Sequence, residues 1–144
     1  MPSAMPMAQA LRLCPNLQII SHRFGAYTQA SRLVMEKIRA VSDLVEQISI
    51  DEAFFDLSDK SDAERIARDL QLDIYQTLHL PSSIGIAANK LVAKIANDFG
   101  KSQKLDGTPP RAFTLVPAGE EAVFLEPLAV TKLWGVGPKT AARL

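Results

Sequence analysis

The sequence predicts an α+β fold, an antiparallel sheet with helices packed on one face, followed by a short helical segment at the C-terminal end. Three observations predict it. Apolar spacing switches between period two and period 3.6 along residues 17–116. Two strand-like runs meet at the acidic pair Asp51-Glu52 with no room for a helix between them. The last residues change character after Glu126-Pro127 and carry a Gly-Val-Gly turn.

Leu17 to Ser21 (LQIIS) follows Pro15-Asn16 and is predicted as a strand. Tyr27, Ser31, Val34, Ile38 and Val41 then recur at i, i+4, i+7, i+11 and i+14, an amphipathic helix with Lys37 and Arg39 turned outward. VEQISI (45–50) and AFFDLS (53–58) are predicted as the two strands of a hairpin whose tip is Asp51-Glu52. Ser61-Asp62-Ala63-Glu64 has the form of a capping box, and Ile66, Leu70, Ile74 and Leu78 continue a second helix up to Pro81. SSIGIA (82–87) alternates as a strand. Asn89 is a natural N-cap for a third helix, lined by Leu91, Val92, Ile95, Ala96 and Phe99 and ending at Gly100. The order β-α-β-β-α-β is that of the split βαβ, or ferredoxin-like, arrangement. KLDGTPP (104–110) is predicted as loop and AFTLV (112–116) as one more strand.

Composition narrows the class. The chain has 144 residues, 47% hydrophobic and 22% charged, so it can bury a core and is neither disordered nor fibrous. A single cysteine, Cys14, forms no internal disulfide and favours a reducing compartment. No apolar run reaches the ~20 residues of a membrane span, and the start MPSAMPMAQALRL lacks a basic leader with an apolar core. A cytoplasmic protein without membrane contact is expected. The net charge of zero hides a segregation: residues 36–73 sum to −6, while 1–35, 85–115 and 128–144 each sum to +3. Basic surfaces around an acidic centre suit a metal site that grips polyanions on either side, although solvated faces also show such scatter.

Three constellations carry candidate chemistry. In mid-strand, Asp51 and Glu52 would point to opposite faces, but at a hairpin tip they can converge on one hard cation; the alternative is a solvated turn. Lys90, Lys94, Asn97 and Lys101 fall on one face of the third helix, where lysines can hold phosphates or simply face water. Lys101, just past Gly100, is placed to swing toward a neighbouring site. In Leu133-Trp134-Gly135-Val136-Gly137-Pro138-Lys139-Thr140, two glycines around one apolar residue make a tight turn of the helix-hairpin-helix kind. Its backbone amides can hold a phosphate without reading sequence, and Lys139 and Arg143 add charge. Trp134 is expected in the core. His22 and Cys14 lack partners at ligand spacing and are expected to be non-functional.

SAMPMAQALRLCP, VEQISIDEAFFDLS, GIAANKLVAKIANDFGK and LWGVGPKTAARL, in this order, resemble the Y-family translesion DNA polymerases, most closely the DNA polymerase IV branch. The resemblance runs from about Ser3 to Leu144. It implies a ferredoxin-like palm at residues 1–118, with a remnant of the fingers at its start, and a partial thumb with a helix-hairpin-helix at 119–144. It implies that Asp51 and Glu52 bind two catalytic Mg2+ ions, for which Mn2+ would also serve. Lys101 would contact the triphosphate, and Gly135, Val136, Gly137, Lys139 and Thr140 the duplex backbone. The implied partners are primer-template DNA and deoxynucleoside triphosphates, with a sliding clamp reached through a C-terminal region absent here, and the implied state is a monomer.

The chain departs from the family pattern at both ends. The strand that carries the family's first metal-binding carboxylate, and the fingers helices, do not precede SAMP, and the little finger does not follow the thumb. The expectation is an internal piece of a longer polymerase that does not extend a primer alone. The competing readings are a catalytically dead DNA-binding relative or scaffold, and an unrelated ferredoxin-like domain that binds a small ligand.

Overall fold

A computed structural model describes residues 5–103, 109 and 111–143 of the chain. Its elements are α1 (Met7–Leu13), α2 (Phe24–Arg39), β1 (Val45–Gln47), β2 (Ala53–Phe55), α3 (Ala63–Leu78), β3 (Ile84–Ile86), α4 (Lys90–Ser102), β4 (Phe113–Leu115), α5 (Glu121–Leu125), a 3-10 turn at Val130–Lys132 and α6 (Pro138–Ala141). Most of the loop expected at 104–110 lies outside the described residues.

The α+β class and the hairpin are as expected. β1 and β2 pair antiparallel, with Val45 opposite Phe55 and Gln47 opposite Ala53. β3 and β4 pair in parallel, Ile84 opposite Phe113 and Ile86 opposite Leu115, with α4 in the crossover. Among the described residues the strands therefore form two two-stranded sheets. The strand expected at Leu17–Ser21 is not formed. Ile19 and Ile20 are exposed, and no described strand lies beside them to take their backbone hydrogen bonds, without which an apolar run does not become a strand.

Burial follows the predicted stripes only in part: Ile38, Leu70, Ile74, Val92, Ile95 and Ala96 are buried, Tyr27 and Leu91 are exposed, and Met35 is buried although it lies outside the predicted stripe. Met35 and Ile38 of α2 meet Leu70 and Ile74 of α3, with Val45, Ala53 and Phe55 of the hairpin packed against them. A second cluster joins Val92 and Ala96 of α4 to Val116, and Phe124 and Leu125 of α5 cover it. Ser42, the buried polar residue between α2 and β1, donates its hydroxyl to the Asp56 carbonyl at 2.7 Å and accepts from the Leu44 amide at 3.2 Å. Gln71 of α3 donates to the carbonyls of Ser82 and Ala112, tying α3 to the segments that lead into both strands of the parallel pair.

Two helix ends differ from expectation. α3 starts after Asp62, which makes no side-chain cap, and Glu64 accepts from Arg68 at 2.8 Å instead of closing a capping box; the one-residue shift puts Glu64 at the second helical position, not the third. α4 does begin at Asn89, whose side chain accepts from the Val92 amide at 2.9 Å, but it runs through Gly100 to Ser102. Gly100 is inside the helix because a side chain there would collide with Thr114 and Ala112 of the neighbouring strand region. Gly85 of β3 faces the same helix. A Cβ there would overlap the Ala93 carbonyl oxygen and the Asn97 amide, so α4 lies directly on the strand backbone.

Candidate active site at the hairpin tip

The β1–β2 tip is closed by the amides of Ile48 and Ser49, both donating to the Glu52 carbonyl at 3.0 and 3.2 Å. Inside that turn the Ser49 hydroxyl donates to Asp51 Oδ1 at 2.7 Å and accepts from the Asp51 amide at 3.3 Å. Gln47 donates to the Ser49 carbonyl at 2.9 Å and to the Ser31 hydroxyl at 3.2 Å, which anchors the tip to α2. Asp51 and Glu52 are thus turn residues, freed from the strict alternation of a strand, and both line one cavity of about 600 Å³. Tyr27 and Ser31 of α2 bound one side, and Lys94, Asn97 and Lys101 of α4 the other.

Lys94 is the residue that joins the two sides. Its side chain is only 12% exposed, and its ammonium donates to Glu52 Oε1 at 2.5 Å and lies 3.2 Å from Asp98 Oδ2. Burial disfavours its charge, but the hydrogen bonds and attraction of Glu52 and Asp98 outweigh that, and its pKa is raised above the ordinary lysine value. Lys101 sits in the last turn of α4, inside the helix and not beyond it as the sequence suggested. Its ammonium lies 3.8 Å from Asp98 Oδ1. With the Asn97 amide oriented so that its nitrogen donates to the Ser83 carbonyl, the Asn97 oxygen accepts from Lys101 at 3.2 Å. Lys90 faces away from this cavity: it pairs with Glu46 and stands 5.9 Å from the centre of the Phe54 ring.

The structure brings Asp51, Glu52 and Lys101 into one cavity, and it keeps Gly135, Val136, Gly137, Lys139 and Thr140 apart from it. Gly135 has φ of +87°, the left-handed conformation the turn requires. The Val136 amide donates to the Leu133 carbonyl at 3.0 Å, and the Thr140 amide to the Gly137 carbonyl at 3.0 Å, as α6 begins. Trp134 is not core. It is 52% exposed, and its ring packs against that of Phe54 in an edge-to-face arrangement with centres 6.1 Å apart. His22 stacks on Phe24 at the surface, as its isolation suggested.

Sequence reasoning counted Lys94 among phosphate-holding lysines and did not find that Glu52 holds it. It also passed over Ser49, although a serine two residues before an aspartate is a local signal for such a turn. Among the described residues no three His, Cys, Asp or Glu side chains gather as a metal cluster. The donor set itself, two adjacent carboxylates at an open turn, suits a hard divalent cation that completes its shell with water and phosphate oxygens.

Fold and site define a class: a palm-type α+β domain with an acid-tipped hairpin facing a lysine-bearing crossover helix, to which a helical hairpin is appended. Comparison with known proteins agrees. The impB/mucB/samB family model matches residues 1–98, and the model of the IMS family HHH motif matches residues 118–144. The chain belongs to the impB/mucB/samB family, the Y-family group whose motifs it carries. It is 41% identical to the DNA polymerase IV of Opitutus terrae, over 97% of this chain and 35% of that protein, and 42% identical to that of Pseudomonas putida, over 99% and 39%. The crystal structure of a DinB family error-prone DNA polymerase from Sulfolobus solfataricus superposes with a TM-score of 0.84 at 26% identity, covering 100% of this chain and 42% of that one. An insertion ternary complex of Dbh DNA polymerase superposes with a TM-score of 0.82 at 25% identity, covering 100% and 41%. The chain therefore spans well under half the length of these relatives.

Proposed function

We propose that this chain supplies the palm and the first part of the thumb, divided near residue 118, of a translesion DNA polymerase. That enzyme adds deoxynucleotides to a primer by phosphoryl transfer. The observation that carries the reading is the placement of Asp51, Glu52 and Lys101 around one cavity at the hairpin tip. Asp51 and Glu52 would hold divalent cations, Mg2+ or Mn2+, which when bound activate the primer 3′-hydroxyl and offset charge on the triphosphate. The remaining steps fall to positioning by this chain. Lys101 offers a point charge to the triphosphate, and Ser49 keeps Asp51 aimed through its 2.7 Å hydrogen bond. The Gly135–Thr140 turn, whose Val136 and Thr140 amides pair with carbonyls of its own segment, would meet the duplex backbone through its remaining amides, with exposed Lys139 beside them, without reading sequence. The family resemblance is what supports placing the acting protein in the cytoplasm as a monomer. No helix among the described residues is long and apolar enough to cross a membrane.

Primer extension tests this. The full-length protein carrying this chain is expected to extend a primer with Mg2+ or Mn2+, and the 144 residues alone to leave it unextended. The double substitution Asp51→Ala/Glu52→Ala is expected to lower extension at least about 100-fold, since even partners of metal ligands are worth about 10–100-fold. Undiminished extension by the double variant would overturn the assignment.

A further inference from the structure

The three lysines on one face of α4 are not equivalent. Lys90 is paired outside the cavity, and Lys101 touches Asp98 only loosely at 3.8 Å and keeps a 38% exposed side chain. Lys94 is the least exposed of the three and is shared by two carboxylates of different standing. One, Glu52, lies at the hairpin tip and is a candidate cation ligand. The other, Asp98, lies one turn along α4 and is 51% exposed. The ammonium takes Glu52 Oε1 at 2.5 Å, so a cation that binds this carboxylate competes with Lys94 for its negative charge. Asp98, at 3.2 Å, is already within reach as the alternative partner, so Lys94 can leave Glu52 without becoming an unpaired, largely buried charge.

We propose that Lys94 is the resident counter-ion of the hairpin-tip site: its ammonium bridges Glu52 and Asp98, and it shifts wholly onto Asp98 when a divalent cation takes Glu52. Lys94 is then a positioning residue that sets the affinity of the tip for metal, with Asp98 as the second half of the device. The inference rests on the cation-holding role proposed for Asp51 and Glu52.

The test is Mn2+ binding to the full-length protein without DNA or nucleotide, read from the loss of the free-ion paramagnetic resonance signal. Glu52→Gln defines which binding belongs to the tip. Coulomb repulsion between a divalent ion and an ammonium a few ångströms away predicts that Lys94→Met tightens that binding about tenfold or more, even with water-like screening. Asp98→Asn is expected to weaken it several-fold while Lys94 is present, because the lysine then has only Glu52, and to change it far less in a Lys94→Met background. Unchanged or weaker binding by Lys94→Met, or an equal Asp98→Asn effect in both backgrounds, overturns the inference and leaves the cation-holding role standing. Should Lys94→Met unfold early in a metal-free melt, Asp98→Asn alone decides, and unchanged affinity overturns the inference. If no variant shows binding that Glu52→Gln abolishes, the cation-holding role fails and the inference with it.

Discussion

The Lys94 ammonium gives the hairpin tip a dependence on pH whose sign is fixed by its partners. Its pKa is raised because Glu52 and Asp98 favour the charged form more than burial disfavours it. A raised lysine stabilises the fold in full below its unfolded pKa of about 10.4, and this contribution is lost as pH rises through the higher folded value. In thermal melts without metal, the stability advantage of the native chain over Lys94→Met is expected to hold from neutral pH to about 10 and to shrink above that. An advantage that persists unchanged at the most alkaline pH would show that the ion pair is not its source. The tip carboxylates were legible because their signal is local: an acidic pair between two apolar runs. The Lys94–Glu52 pair spans 42 positions, and nothing within a single helix or hairpin announces it.

At the scale of the element, α4 shows which signals survive folding. The Asn89 cap is a short-range device and was readable as such; its side chain satisfies the Val92 amide. Asn89→Ala is expected to cost about 1 kcal/mol in chemical denaturation, with the site geometry retained. Gly100 was misleading for a physical reason. Glycine is common just past helix ends, but here it removes a collision with Thr114 and Ala112, a need that arises only when α4 docks on the parallel pair. Gly85 meets the same demand from the strand side. Gly85→Ala is expected to destabilise by at least about 1–3 kcal/mol, because the obstructing atoms are backbone and the helix must lift. A variant with native stability would mean that α4 does not rest on β3 as described. Leu17–Ser21 teaches the complementary lesson: apolar patterning marks a segment able to be a strand, and only a neighbouring strand makes it one.

At the scale of the whole molecule, central acids and flanking bases of the sequence meet in cross-element pairs, Lys90 with Glu46 and Lys94 with Glu52 at 2.5 Å. Two small cores hold the parts together. One locks the hairpin to α2 and α3, and the other locks α4 to Val116 and α5. Phe99 of α4 meets Phe124 of α5 edge-on at 5.6 Å, so α5 is anchored against α4 at the second core. The class of fold was legible because periodicity survives in every long helix, and the division into two short sheets was not, since pairing partners are a property of the tertiary arrangement. Trp134 also reaches across to Phe54 of β2. Trp134 is the chain's sole tryptophan, which makes its fluorescence a single-site optical gauge of how the glycine turn rests on the hairpin. When the turn lifts from β2, the emission should move to the red and become easier to quench with acrylamide, and Phe54→Ala should give the lifted spectrum from the outset.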